Sequence, residues 1–192
     1  METLIEFDKM ISTAINGAWT PVLDRIMIFI SEIWVWVPLY VAVIIWLFCK
    51  MPWKKALVGV VVVIAAFAFT DIFSAYMKED VFQRLRPCND PSLEGVLRLP
   101  DGKGGPFGFP SGHACNTFCF AILVSWLIRK RWWTVSILSW SLAISYSRIY
   151  LARHFLGDVF GGLIFGAIVA WLAICLLKAA FKKLDENALH SR

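Results

Sequence analysis

Five apolar stretches, residues 34–49, 56–76, 114–128, 132–149 and 159–177, are long enough to reach most or all of the way across a hydrocarbon layer of about 30 Å. This constrains the fold before anything else. Backbone N–H and C=O groups find no partner in lipid, so such stretches must satisfy them internally as helices. The first and third are at the short end, and flanking residues or local thinning must help them. A hydrophobic content of 59% with 10 Trp and 15 Phe fits lipid-facing surfaces and interfacial belts. The reading is an all-α, polytopic membrane helix bundle of about five transmembrane helices. The net charge of +5 is not a sign of nucleic acid, because the cations gather in short connectors beside apolar segments.

Those connectors set the topology. Lys50, Lys54 and Lys55 lie between the first two stretches, Arg129, Lys130 and Arg131 between the third and fourth, and Lys178, Lys182 and Lys183 after the fifth. In an antiparallel bundle all three groups fall at one end, which the positive-inside rule makes cytoplasmic. Residues 1–33 read as one or two interfacial or partly inserted helices. Positions 4–18 alternate apolar and charged residues in an amphipathic pattern, and Thr20-Pro21 offers an N-cap and a first-turn proline. No cleavable signal peptide is expected, since the start carries Glu2, Glu6, Asp8 and Lys9. Residues 34–178 then form the bundle, with 79–110 as a long loop opposite the basic end, and 179–192 as a cytoplasmic tail. Leu93, Val96, Leu97 and Leu99 give that loop an apolar turn suited to a lid or lipid-access element. Gly157, Gly161, Gly162 and Gly166 suit close packing within the bundle.

Three polar clusters fall at the end away from the basic connectors. They are Lys78…Arg84-Leu85-Arg86-Pro87, then Pro110-Ser111-Gly112-His113, then Ser147-Arg148 followed by His154 and Asp158. Ionisable groups at a membrane span are costly, so they are functional candidates. His154 and Asp158 are four residues apart, one helical turn, so the carboxylate can orient the imidazole. The bland reading of each cluster is a juxtamembrane ion pair or headgroup anchor; Arg153 in particular reads as such an anchor. Of three histidines, two sit in these clusters, and His190 in the polar tail reads as solvated and idle. Asp71, inside the second stretch, has no role in this pattern. Cys88 can approach Cys115 for a disulfide if that side is oxidising, although apolar packing is the default for the five cysteines.

In order and spacing, the three clusters resemble the signature of the type-2 phosphatidic acid phosphatase family, which shares its core with vanadium haloperoxidases. The family pattern is Lys, six residues, Arg-Pro; then Pro-Ser-Gly-His; then Ser-Arg, five residues, His, three residues, Asp. One departure stands out: seven residues separate Lys78 from Arg86, and the expected lysine position holds Glu79. Either Lys78 reaches the site through a helix irregularity, or Arg84 supplies the cation, or phosphate binding is weakened.

The resemblance implies a haloperoxidase-like core and a metal-independent phosphatase without cofactors. His154 would attack phosphorus, Asp158 would orient it, and His113 would protonate the leaving oxygen. Lys78, Arg86, Arg148, Ser111, Ser147 and the Gly112 amide would bind phosphate. The expected substrate is a phosphorylated membrane lipid, undecaprenyl diphosphate first. Alternatives are phosphatidylglycerol phosphate, phosphatidic acid or lipid A, or transfer of the phosphoryl group to another lipid. A non-enzymatic anionic-lipid binder or transporter would keep the basic pocket but not depend on His154. A bacterial inner membrane with the site facing the periplasm is the expected setting.

Overall fold

In the computed structural model, which describes residues 2–190, the side chains of Glu2 and His190 excepted, the described chain is helical, apart from turns, loops and one isolated bridge. The expectation for the His190 side chain therefore falls outside the described residues. Helices α1 (Glu2–Gly17) and α2 (Pro21–Ser31) precede a 3-10 turn, Ile33–Trp36, that leads into α3 (Val37–Lys50). Then follow α4 (Trp53–Tyr76), α5 (Gly112–Ile128), α6 (Arg131–Tyr150) and α7 (Leu156–His190). Local chemistry sets several of these boundaries. Thr20 caps α2 by accepting from the Leu23 N–H at 3.1 Å, with Pro21 in the first turn. Ser111 caps α5 in the same way, through the Ala114 N–H.

The bundle is arranged around α5, which packs against α4, α6 and α7. Twelve of its 17 residues are buried, which is why so apolar a helix need not face lipid. Three of the described helices are long and apolar enough on their own to cross a membrane: Ile33–Lys50, Trp53–Phe82 and Leu156–Leu189. α5 is one residue short of that length, and α6 is diluted by five serines, of which Ser141, Ser145 and Ser147 are buried against neighbouring helices.

Close approach of α5 and α7 depends on glycine. A Cβ at Gly162 would lie 2.5 Å from the Ser111 carbonyl oxygen, and one at Gly166 would lie 2.5 Å from that of Cys115. Gly157 and Gly161 likewise face Asp8 and Phe109, so the small-residue spacing serves packing within this chain. The five cysteines are free, Cys88 and Cys115 among them.

The N-terminal helices sit on the bundle with their polar face inward. Ser12 and Asn16 are buried, whereas Leu4, Phe7 and Met10 point outward. The stripe Asp8, Ser12, Asn16 engages the start of α7 and the end of α6: Asp8 accepts from the Gly157 N–H at 2.9 Å, Ser12 from the Leu156 N–H at 3.1 Å, and Asn16 donates to the Tyr150 carbonyl at 2.7 Å. This explains why an amphipathic helix can present its apolar side to lipid. The long loop is strapped down by the same elements. Lys9 pairs with Asp90 at 3.1 Å, and Arg98 pairs with Asp24 at 2.8 Å while stacking on Trp19. The region from 179 onward continues α7 as helix, and Lys55 meets Asp185 at 2.7 Å, so the start of α4 and the end of α7 share one end of the molecule.

Candidate active site

Four helix ends meet at the opposite end: the C-termini of α4 and α6 and the N-termini of α5 and α7. Lys78, Arg86, Gly112, His113, Arg148 and His154 line one cavity there of ≈ 240 Å³. Both imidazoles of the motif histidines thus face a common space, together with three cations.

How Lys78 reaches that space resolves the register problem. After Tyr76, α4 does not stop but widens into a π-helical segment, Met77–Phe82. A π-turn absorbs one extra residue, the discrepancy between Lys78 and Arg86. The segment closes on Gln83 in the left-handed region, φ 44°, with the Gln83 N–H donating to the Lys78 carbonyl. The ammonium arrives beside the α5 start: a Cβ at Gly112 would lie 3.4 Å from Lys78 Nζ. Arg84 does not substitute for it. Its guanidinium forks between Asp158 at 2.8 Å and Asp8 at 2.6 Å, and lies over the Phe155 ring.

Arg86 is fixed by its Nε donating to the Phe107 carbonyl at 2.8 Å, within a loop whose glycines let it close tightly. At Gly108 a Cβ would come 2.7 Å from the Asp158 carboxylate, and at Gly104 it would meet the guanidinium groups of Arg153 and Arg86. Arg148 is 7% exposed; it donates to the Ser31 hydroxyl, while its Nε is buried without a protein partner. It does not pair with Asp158. Arg153, expected as a headgroup anchor, is instead turned inward against Asp101, Nη2 to Oδ2 at 2.7 Å, where it holds the loop over the site. A partly buried carboxylate is a better partner for it than a distant headgroup.

His154 is 2% exposed and follows α6, whose last turn is closed by the Arg148 carbonyl accepting from the N–H groups of Arg153 and His154. Burial first, then the cations of Arg86, Arg148 and Lys78, hold its imidazole well below the usual histidine range. The ring is therefore neutral near pH 7, with a lone pair free for attack. Asp158 lies 3.7 Å from His154 Nδ1, beyond hydrogen-bond reach, and that nitrogen has no protein partner. The carboxylate is instead engaged by the Phe155 N–H at 2.9 Å and by Arg84. Orientation of His154 by Asp158 thus needs a small closing movement from this geometry.

Two expected phosphate ligands lie outside the cavity lining. Ser111 is fully buried because its hydroxyl caps α5, and the Ser147 hydroxyl donates back to the Ile144 carbonyl at 2.6 Å. Serine at a helix start or inside a helix satisfies local backbone first. Conversely, Asp71, Asn116 and Thr117 line the cavity although no motif contains them, and Ser31 supports Arg148 from α2. Asp71 carried a signal, an acidic side chain within an apolar span; Ser31 carried none.

Two further cavities of different character share walls with this one. Toward the bilayer, Ile33, Tyr40 and Phe67 are shared with an apolar cleft of ≈ 390 Å³ between α3 and α4. Toward the loop side, His113 and Arg148 also face a polar cavity of ≈ 260 Å³ that includes Glu32, Asp101 and Arg153. Such a site can hold a tetrahedral anion among cations, present a neutral imidazole to it, and lead an apolar tail sideways into lipid.

Residues 56–182 match the sequence profile of the PAP2 superfamily. Over 174 residues the chain is 35% identical to a lipid A 4'-phosphatase from Bacteroides thetaiotaomicron, covering 90% of this chain and 77% of that one. An undecaprenyl-diphosphatase from Sulfolobus acidocaldarius is 26% identical over 189 residues, 96% of this chain and 86% of its own. Among solved structures, a transmembrane PAP2-type phosphatidylglycerolphosphate phosphatase from Bacillus subtilis superposes with a TM-score of 0.72. At 22% identity over 97% of this chain and 88% of that one, it establishes a common fold.

Proposed function

The chain belongs to the PAP2 superfamily, and we propose that within it this membrane lipid phosphatase removes phosphate from a lipid A-type substrate through a phosphohistidine intermediate. The observation that carries the mechanism is the single cavity in which His113 and His154 stand with Lys78, Arg86 and Arg148. His154 attacks phosphorus with its neutral ring, forming a P–N bond as the P–O ester bond breaks. The departing alkoxide takes a proton from His113, which then withdraws one from water as that water cleaves the P–N bond. Lys78, Arg86 and Arg148 neutralise the equatorial oxygens, and the N–H groups opening α5 add a favourable dipole. Asp158 stabilises the imidazolium that develops on His154.

The substrate reading supersedes undecaprenyl diphosphate, because 35% identity to a lipid A 4'-phosphatase outweighs 26% to an undecaprenyl-diphosphatase. The proposed orientation, with the cavity facing the extracytoplasmic side of a bacterial inner membrane, is supported by charge: Lys55, Arg129, Lys130, Arg131 and Lys182 lie toward the helix ends away from the site.

The test is release of inorganic phosphate by purified protein in detergent from lipid A, undecaprenyl diphosphate, phosphatidylglycerol phosphate and phosphatidic acid. The expected result is the highest kcat/KM on lipid A, by at least about tenfold, or about 1.4 kcal/mol in transition-state binding. Equal or better turnover of undecaprenyl diphosphate would overturn the substrate reading. Phosphate appearing only when a second lipid acceptor is added would show a phosphotransferase instead.

A further inference from the structure

Asp71 is an exposed acidic residue in the C-terminal third of an apolar helix, and it faces the catalytic cavity. An ionisable group at such a depth is expensive unless it serves the site it lines. Its Oδ1 accepts from the Asn116 Nδ2 at 3.1 Å, which fixes the orientation of the amide. The Asn116 Oδ1 is left with no protein partner although the residue is only 8% exposed. A buried acceptor without a donor costs about 1–3 kcal/mol, so it marks a place where a ligand group belongs.

The position of the pair tells what that group is. Asp71 precedes Lys78 by two turns on α4, and Asn116 follows His113 by one turn on α5. Because α4 runs toward the site and α5 away from it, both acceptors lie on the membrane-interior side of the phosphate-facing cations. There they adjoin Ile33, Tyr40 and Phe67, which the cavity shares with the α3–α4 cleft. A substrate whose phosphate sits among the cations and whose tail lies in that cleft must thread the part joining them past Asp71 and Asn116. The Asp71 carboxylate and the unpartnered Asn116 Oδ1 both accept, so the pair suits hydroxyl or amide N–H groups. The acidic side chain also repels a second phosphate.

We infer that Asp71 and Asn116 form a headgroup subsite that recognises hydrogen-bond donors next to the scissile phosphate, such as the hydroxyl and amide groups of an acylated amino sugar. This rests on the lipid A-type reading and gives it a structural cause. A polyprenyl chain offers the pair nothing, and a diacylglycerol phosphate offers it no donor.

The experiment compares kcat/KM for a monophosphorylated acylated glucosamine lipid and for phosphatidic acid, in detergent micelles, for wild type, Asp71→Ala and Asn116→Leu. Asp71→Ala removes an exposed side chain and leaves the packing of α4 intact, so it tests the pair even if Asn116→Leu perturbs packing. The ratio of the two kcat/KM values is expected to fall tenfold or more in each folded variant. A ratio that stays within twofold of wild type, whether both activities drop together or neither does, overturns the subsite and makes Asp71 a structural neighbour of Lys78. If wild type itself prefers phosphatidic acid, the lipid A reading fails separately. The subsite is then judged on the hydroxyl-bearing phosphatidylglycerol phosphate against phosphatidic acid, by the same fall or constancy of the ratio.

Discussion

Replacing His154 by alanine is expected to lower kcat by about 10⁴-fold or more, on the scale of losing a catalytic nucleophile. In the proposed mechanism the neutral His154 imidazole forms the bond to phosphorus, while His113, the other imidazole of the cavity, is assigned to proton transfer. Lys78, Arg86 and Arg148 remain in the variant, so lipid phosphate still binds and KM changes far less than kcat. His154→Asn, closer in volume to the 2% exposed native ring, separates lost chemistry from lost packing. A variant retaining more than a hundredth of wild-type phosphate release would contradict a covalent role. It would also revive a basic pocket that only binds anionic lipid.

Arg84→Met is expected to cost about 3 kcal/mol or more of stability, because it strands a buried carboxylate. Asp158 is wholly buried, and Arg84 is its cationic partner at 2.8 Å. The same guanidinium reaches Asp8 at 2.6 Å, so one side chain ties α1 and the connector after α4 to the start of α7. With folding free energies typically about 5–15 kcal/mol, the loss is a large fraction of the whole. Thermal unfolding in detergent reads it directly. Asp8→Asn should be milder, since it keeps an acceptor for the Gly157 N–H and leaves Asp158 paired. If Arg84→Met unfolds within a degree or two of wild type while activity collapses, Arg84 acts on substrate rather than on Asp158, and the description of this triad is wrong.

What the sequence disclosed and what it concealed divide along physical lines. Apolar length and capping chemistry are local, so the helix start at Thr20-Pro21 and the approximate extents of α3 to α6 could be read directly. Alternation of basic connectors with polar clusters is a pattern over the whole chain, and it distinguishes the two ends of the bundle from sequence. The widened turn at Met77–Phe82 is one of three alternatives that the Lys78–Arg86 spacing left open; the spacing could not choose among them, because a shift from i+4 to i+5 bonding depends on tertiary packing rather than residue type. Nor was the division of labour between Arg84 and Arg86 readable. Two arginines with identical chemistry, two residues apart, are distinguished only by what surrounds them: Asp8 and Asp158 for one, the Phe107 carbonyl and the cavity for the other. Ser111 and Ser147 were drawn to the site by their motif neighbours, yet their hydroxyls were claimed by nearby backbone. Asp8, Ser12 and Asn16 stand at four-residue spacing, but the sequence marks their helix only as amphipathic and interfacial and assigns its polar side no partner. Only the start of α7 lying beneath it shows that the polar side faces protein.

The most direct measurement of the central claim is a crystal structure of the protein with orthovanadate, an oxyanion that adopts the trigonal-bipyramidal shape of phosphoryl transfer. The account predicts vanadium bonded to the His154 ring nitrogen that faces the cavity, with oxygens held by Lys78, Arg86 and Arg148 and the His113 imidazole at the opposite apex. Vanadate bound away from His154, or His113 and His154 contacting separate ligands, would contradict it.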